Sequence, residues 1–149
     1  MKKKTTIFAF LAILATFFIF YHSLKTAPES SRSSGYIVTW IMKVCANLNY
    51  TLDRETVVLL VRKGAHIFEF FMQGFFIGLA YYFGKHSFSK RIVNLLFFGL
   101  LTACVDEMLQ NFIEGRAGLV SDVWIDFIGV SLAAIMYFII SAAGRKKLR

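Results

Sequence analysis

Four apolar runs dominate the chain, at residues 7–24, 66–83, 92–112 and 123–140. Each is close to the roughly 20 residues that a helix needs to cross an apolar core about 30 Å thick. Together they take up more than half of the 149 residues. No remaining stretch is long enough for a separate soluble domain. The reading is therefore an all-α polytopic membrane bundle of four transmembrane helices, forming a single domain over 1–149, and any function resides in the bundle and its short connections.

The charge distribution fits that reading and orients it. The chain is 57% hydrophobic with 17 Phe and one Pro, yet its formal net charge is +8. The basic residues lie outside the apolar runs. Lys2 to Lys4, Lys85, Lys90, Arg91 and the C-terminal Arg145, Lys146, Lys147 and Arg149 fall on one side of an alternating topology, ten of the 17 Lys and Arg. Of the other seven, six are spread over the long first connection and Arg116 lies in the turn before the fourth span. The positive-inside rule then puts both termini in the cytoplasm and the acidic residues at or near the outer face. The basic N-terminus followed by an apolar run also resembles a signal peptide. "YHSLKTAPES" offers no small-x-small cleavage site, so an uncleaved first helix is expected. The basic C-terminus reads as an anchor at anionic lipid, not as a nucleic-acid patch.

The outer loop 25–65 starts with "KTAPESSRSSG", where Pro, Ser and Gly crowd, and reads as irregular. "YIVTWIMKVCANL" follows, and Tyr36, Trp40 and their apolar neighbours suit a short interfacial helix or a partly buried loop helix. Asp53 or Thr51 is placed to cap a helix running from Arg54 straight into the second span, with a bend expected at Gly64. Gly74, Gly78, Gly99 and Gly129 suit close helix contacts. Cys45 and Cys104 have no spacing that suggests a disulfide or a thiolate metal site.

The charges inside the apolar runs carry the functional signal, because an aspartate at the centre of a membrane helix costs roughly 3 kcal/mol on insertion scales. On the second span Arg62, His66, Glu69 and Gln73 share a face at offsets of four, seven and eleven. On the third, Ala103, Asp106 and Gln110 form a stripe, with Glu107 three residues before Gln110. On the fourth, Asp122, Asp126, Gly129 and Ala133 repeat the spacing. At 1.5 Å per residue Asp106 lies about 21 Å along the third helix from Ile92, near the depth of Glu69 and Asp126. One shared cluster near the outer boundary is expected. Arg116, in the turn "IEGRAGLVS", is placed to fold back on Asp106, Glu107 or Asp126, and Ser121 or Asp122 to cap the fourth helix. Arg62, His66, Glu69, Asp106, Glu107, Gln110, Arg116, Asp122 and Asp126 make up the candidate ligand-binding set. No metal and no cofactor is expected, since three His is few for a metal site, with His22 beside the first span and His86 on the cytoplasmic side.

These residues also carry a resemblance. "RKGAHIFEF", "DEMLQNF" and "GRAGLVSDVWIDFIG", on consecutive spans, are similar to the motifs of the VanZ-like family, small membrane proteins named after an accessory factor of teicoplanin resistance. The similarity covers roughly residues 10–140. Glu114 stands where the family frequently has proline. The resemblance implies a helical protein of the bacterial plasma membrane, linked in some members to low-level glycopeptide resistance, and supplies no reaction. Three function classes stay open. The first is a module whose outer cluster binds a membrane lipid, a lipid-linked cell-wall precursor or an amphiphilic antibiotic. The second is an enzyme on a lipid-borne head group, with Glu69, Asp106 or Glu107 as acid and base and His66 as proton carrier. The third is a structural assembly partner.

Overall fold

A computed structural model describes the backbone of residues 2–146 and, Ala27 apart, the side chains of residues 2–139. The described chain is helical: α1 is Lys2–Ser23, α2 Ala27–Asn47, α3 Arg54–Phe83, α4 Phe88–Gln110 and α5 Val120–Lys146. Lys147 and Arg149 of the expected C-terminal anchor lie outside the described residues, as do the side chains of Arg145 and Lys146.

By length and composition α1, α4 and the 120–139 part of α5 are each apolar enough to cross a membrane. Helix α3 is not among them, because Arg62, Lys63, His66, Glu69 and Gln73 run through its middle. It is instead the central element, packing against α1, α2, α4 and α5. The core beside it is built from Ile19 of α1, Phe70 and Ile77 of α3, Leu95 and Ala103 of α4, and Val130, Ala133 and Tyr137 of α5. The other faces leave Phe10, Phe17, Phe97, Trp124 and Ile135 exposed, the distribution of helices whose outer surface meets lipid.

The first connection corrects the sequence reading. The Pro, Ser and Gly stretch is not irregular: it forms the first half of α2, a helix of 21 residues. A capping box starts it, with the Thr26 backbone N–H and hydroxyl both donating to Glu29 Oε2 at 2.9 Å. Pro28 falls in the first turn, where a missing N–H costs nothing. The serines that argued for a loop are taken up within the helix, Ser33 donating to the Glu29 carbonyl at 3.0 Å. Helix α3 then starts at Arg54 with Asp53 as its cap, accepting from the Thr56 N–H at 2.9 Å. That bond holds the Asp53 carboxyl below the usual carboxylate range. The helix runs 30 residues through Gly64 without interruption.

Small residues let the helices approach closely. A Cβ at Gly129 would run into the Ile67 carbonyl oxygen of α3, and Gly74, Gly78 and Gly99 likewise face side chains of α5. Replacing Gly129 by Ala should therefore lower stability by roughly 1–3 kcal/mol. Gly64→Ala meets nothing within 4 Å, and should be neutral or stabilising by up to about 1 kcal/mol. Thermal unfolding of the two variants in one detergent reads the difference.

Candidate functional site

Polar side chains inside this bundle need partners from neighbouring helices, because little water reaches them. Gln73, almost fully buried, donates its amide to Thr16 Oγ1 of α1 at 2.7 Å and to Thr102 Oγ1 of α4 at 2.8 Å. Three helices are tied at that level. Toward the α4–α5 turn, Asp106 is fully buried. Its Oδ2 accepts from Ser23 Oγ at 2.7 Å and from Gln110 Nε2 at 3.1 Å. The same Gln110 amide donates to Glu107 Oε1 at 2.9 Å.

Glu107 joins α4 to the start of α5. Its Oε2 accepts the Leu119 N–H at 2.8 Å, a donor that an incoming helix leaves without an internal partner. Gly115, at φ 74°, allows the turn between the two helices to reverse, and the Gly118 N–H is held by Asn111 Oδ1 at 3.0 Å. So α5 begins at Val120, ahead of the expected boundary. Ser121 and Asp122, expected to cap this helix, therefore lie inside its first turn, and Asp122 pairs instead with Lys63 Nζ of α3 at 2.9 Å.

The shared face of α3 divides its partners. His66 Nδ1 lies 3.5 Å from Asp126 Oδ1, while His22 Nδ1 and Glu69 Oε1 are 2.7 Å apart. His66 and Glu69, one helical turn apart, thus serve different neighbours. The expectation for Arg116 is corrected: no carboxylate among the described residues stands within ion-pair distance of it, and Nη1 donates to the Ser23 carbonyl at 3.3 Å. Ser23, Gln110 and the Leu119 amide hold one oxygen of Asp106 and both of Glu107, and the Ser23 carbonyl at the end of α1 accepts from Arg116 instead. Sequence reasoning missed His22, Ser23, Thr16 and Thr102. The only signal for them was polarity within or at the end of an apolar helix.

The expected set is largely brought together. Arg62, His66, Glu107, Gln110, Arg116, Asp122 and Asp126 all line one cavity of about 190 Å³. Glu69 faces a second cavity of about 220 Å³, walled by Lys25 and the α2 serines and sharing Arg62 and His66 with the first. A third space is an apolar groove of about 570 Å³ between α1 and α3, lined by Leu11, Leu14, Phe18, Phe68 and Phe76 and ending at His22 and Glu69. The three spaces form a series through shared walls. One group also has the chemistry of a metal site: His66, Asp106 and Asp126 each offer a donor atom, and these lie within 4.8 Å of one another.

Two mutant cycles test this wiring. Ser23→Ala with Asp106→Asn should show a coupling of about 1 kcal/mol in thermal stability. Arg116→Ala with Asp106→Asn should add to within about 0.5 kcal/mol. A strong second coupling would restore the direct ion pair.

The three motifs stand within this geometry: the α3 motif supplies His66 and Glu69, the α4 motif the buried carboxylates, and the α4–α5 motif Arg116 and Asp126. No curated protein and no solved structure matches the chain. The family model described as VanZ/LLP1 matches residues 8–141, nearly the whole sequence. This helical membrane protein belongs to the VanZ/LLP1 family.

Proposed function

We propose that this protein is a four-span protein of the bacterial plasma membrane that binds an amphiphile, with the anionic head group in the two polar cavities and the chain in the groove between α1 and α3. The observation that carries this reading is the adjacency of the three spaces, each sharing wall residues with the next. Arg62 and His66 are common to both polar cavities, and His22 and Glu69 stand where the second meets the apolar groove. A head group there meets Arg62, Lys25 and Arg116, together with serine hydroxyls, while an acyl or polyprenyl chain lies against Leu14, Phe18 and Phe68. Guanidinium groups suit phosphate by their planar fork of donors. Lipid-linked wall precursors and phospholipids share that chemistry, and amphiphilic glycopeptides share the combination of polar head and chain. Sequestering such a molecule at the outer boundary is a route by which this protein would contribute to glycopeptide resistance or envelope maintenance.

In this reading α1, α3, α4 and α5 span the membrane, with the α3–α4 turn cytoplasmic and the α4–α5 turn outside. Single cysteines in a chain freed of Cys45 and Cys104 test it. Ala117→Cys should react with an impermeant maleimide on intact cells, and Lys85→Cys only after permeabilisation. The opposite pattern would overturn the orientation.

Ligand binding is tested by mass spectrometry of lipids retained after purification in native membrane. The wild-type chain should carry an anionic lipid species that Arg62→Ala reduces at least fivefold. Leu14→Trp, which fills the groove without touching a charge, should reduce it as well. Equal retention by all three proteins, each accumulating normally, would exclude the reading.

A further inference from the structure

We infer that His66 of α3, Asp106 of α4 and Asp126 of α5 form a binding site for one divalent transition-metal cation, of the zinc or manganese class. The three residues come from three helices, and their donor atoms lie within 4.8 Å of one another. Donors around one such ion stand about 3–4 Å apart, given metal–ligand bonds of about 2.0–2.2 Å. Side-chain rotations that contract the set by about 1 Å would complete it.

A second, independent observation concerns the hydrogen bonds that these residues do not make. Asp106 is fully buried and Asp126 is 2% exposed. Among the described residues, Oδ1 of Asp106 and Oδ2 of Asp126 have no hydrogen-bond partner, and neither has Nδ1 of His66. The 3.5 Å approach of His66 to Asp126 is too long to count as one. A buried carboxylate oxygen without a donor is costly, and two ionised carboxylates side by side repel unless a proton or another positive charge stands between them.

Among the described residues no lysine or arginine stands within ion-pair distance of Asp106 or Asp126. Lys63 is taken by Asp122. Arg116 donates from Nη1 to the Ser23 carbonyl, while among the described residues its Nε has no hydrogen-bond partner. One remaining oxygen of the cluster is held as in built metal sites, where outer hydrogen bonds orient the ligands: Ser23 and Gln110 both donate to Oδ2 of Asp106 and so fix its plane.

The donor set selects the class of ion. One imidazole favours zinc or manganese over calcium and magnesium, and two carboxylates with no thiolate disfavour the soft ions. His66 and Asp126 also line the cavity that holds Arg62 and Arg116. The open coordination positions therefore face that cavity, where water or an anionic oxygen would fill them. The inference stands apart from the head-group reading, because cation uptake is measured without any lipid ligand.

The test uses the full chain, purified in detergent, stripped with a chelator, incubated with zinc or manganese chloride and desalted. Metal content by plasma mass spectrometry should be one ion per chain. Titration calorimetry should show the affinity reduced at least tenfold by Asp106→Asn, Asp126→Asn and His66→Gln, and unchanged by Glu55→Gln on the exposed start of α3. The ion should raise the thermal midpoint of the wild type by several degrees and leave that of the three site variants unmoved. Wild-type protein that binds no ion would overturn the inference, and so would site variants that bind as tightly as wild type. If an aspartate variant fails to fold, His66→Gln, the most exposed of the three, decides between those outcomes.

Discussion

Asp106, fully buried between apolar helices, is the constraint around which the rest of this structure is arranged. A carboxylate there is tolerable only if neighbouring elements deliver donors to it, and they do so from two directions. Ser23 comes from the last residue of α1, Gln110 from one turn further along α4. Because Ser23 must reach Asp106, the end of α1 is fixed against α4. Because Gln110 also holds Glu107, and Glu107 holds the first amide before α5, the α4–α5 turn is fixed in the same network. A single buried charge thereby sets the relation of three helices at one end of the bundle.

At the level of Gln73 the same problem is solved with neutral groups. Its amide spans from α3 to hydroxyls of α1 and α4, and the Thr102 hydroxyl in turn donates to the Phe98 carbonyl. Hydrogen bonds of this kind are each worth on the order of 1 kcal/mol or less between membrane helices. Their larger effect is on register, since a shift of either neighbour by one residue would strand a buried amide. The glycines of α3, α4 and α5 act with them by letting backbones approach where the polar side chains must meet.

The division of labour along α3 explains how one helix serves three spaces. Arg62 and His66 face both polar cavities, Glu69 turns toward His22 at the head of the apolar groove, and Gln73 closes the bundle below. Every charged residue of α3 thus precedes Gln73, and the part of the helix beyond it carries none. An amphiphile has the same polarity along its length.

Much of this was legible in the sequence for a simple reason: lipid exposure demands long continuous apolar runs, and helical periodicity is fixed at 3.6 residues per turn. The helices, the shared face of Arg62, His66, Glu69 and Gln73, the Asp53 cap and the gathering of the α3, α4 and α5 motifs follow from those two rules. The partners do not. Composition marked "KTAPESSRSSG" as a loop, but serine and proline are also at home in a capped first turn, and packing of α2 on α3 decides between the two. Charge alone paired Arg116 with the carboxylates, whereas Ser23 and Gln110 hold Oδ2 of Asp106, Gln110 and the Leu119 amide hold Glu107, and Arg116 turns to the Ser23 carbonyl. His22 stood out only as a polar residue at a helix end, and its 2.7 Å contact with Glu69 depends on how α1 leans on α3. The sequence by itself determined which residues must avoid lipid, because that depends on each side chain's own transfer energy. Tertiary structure alone decided which of them meet, because hydrogen bonds require donors and acceptors from different helices to arrive within about 3 Å.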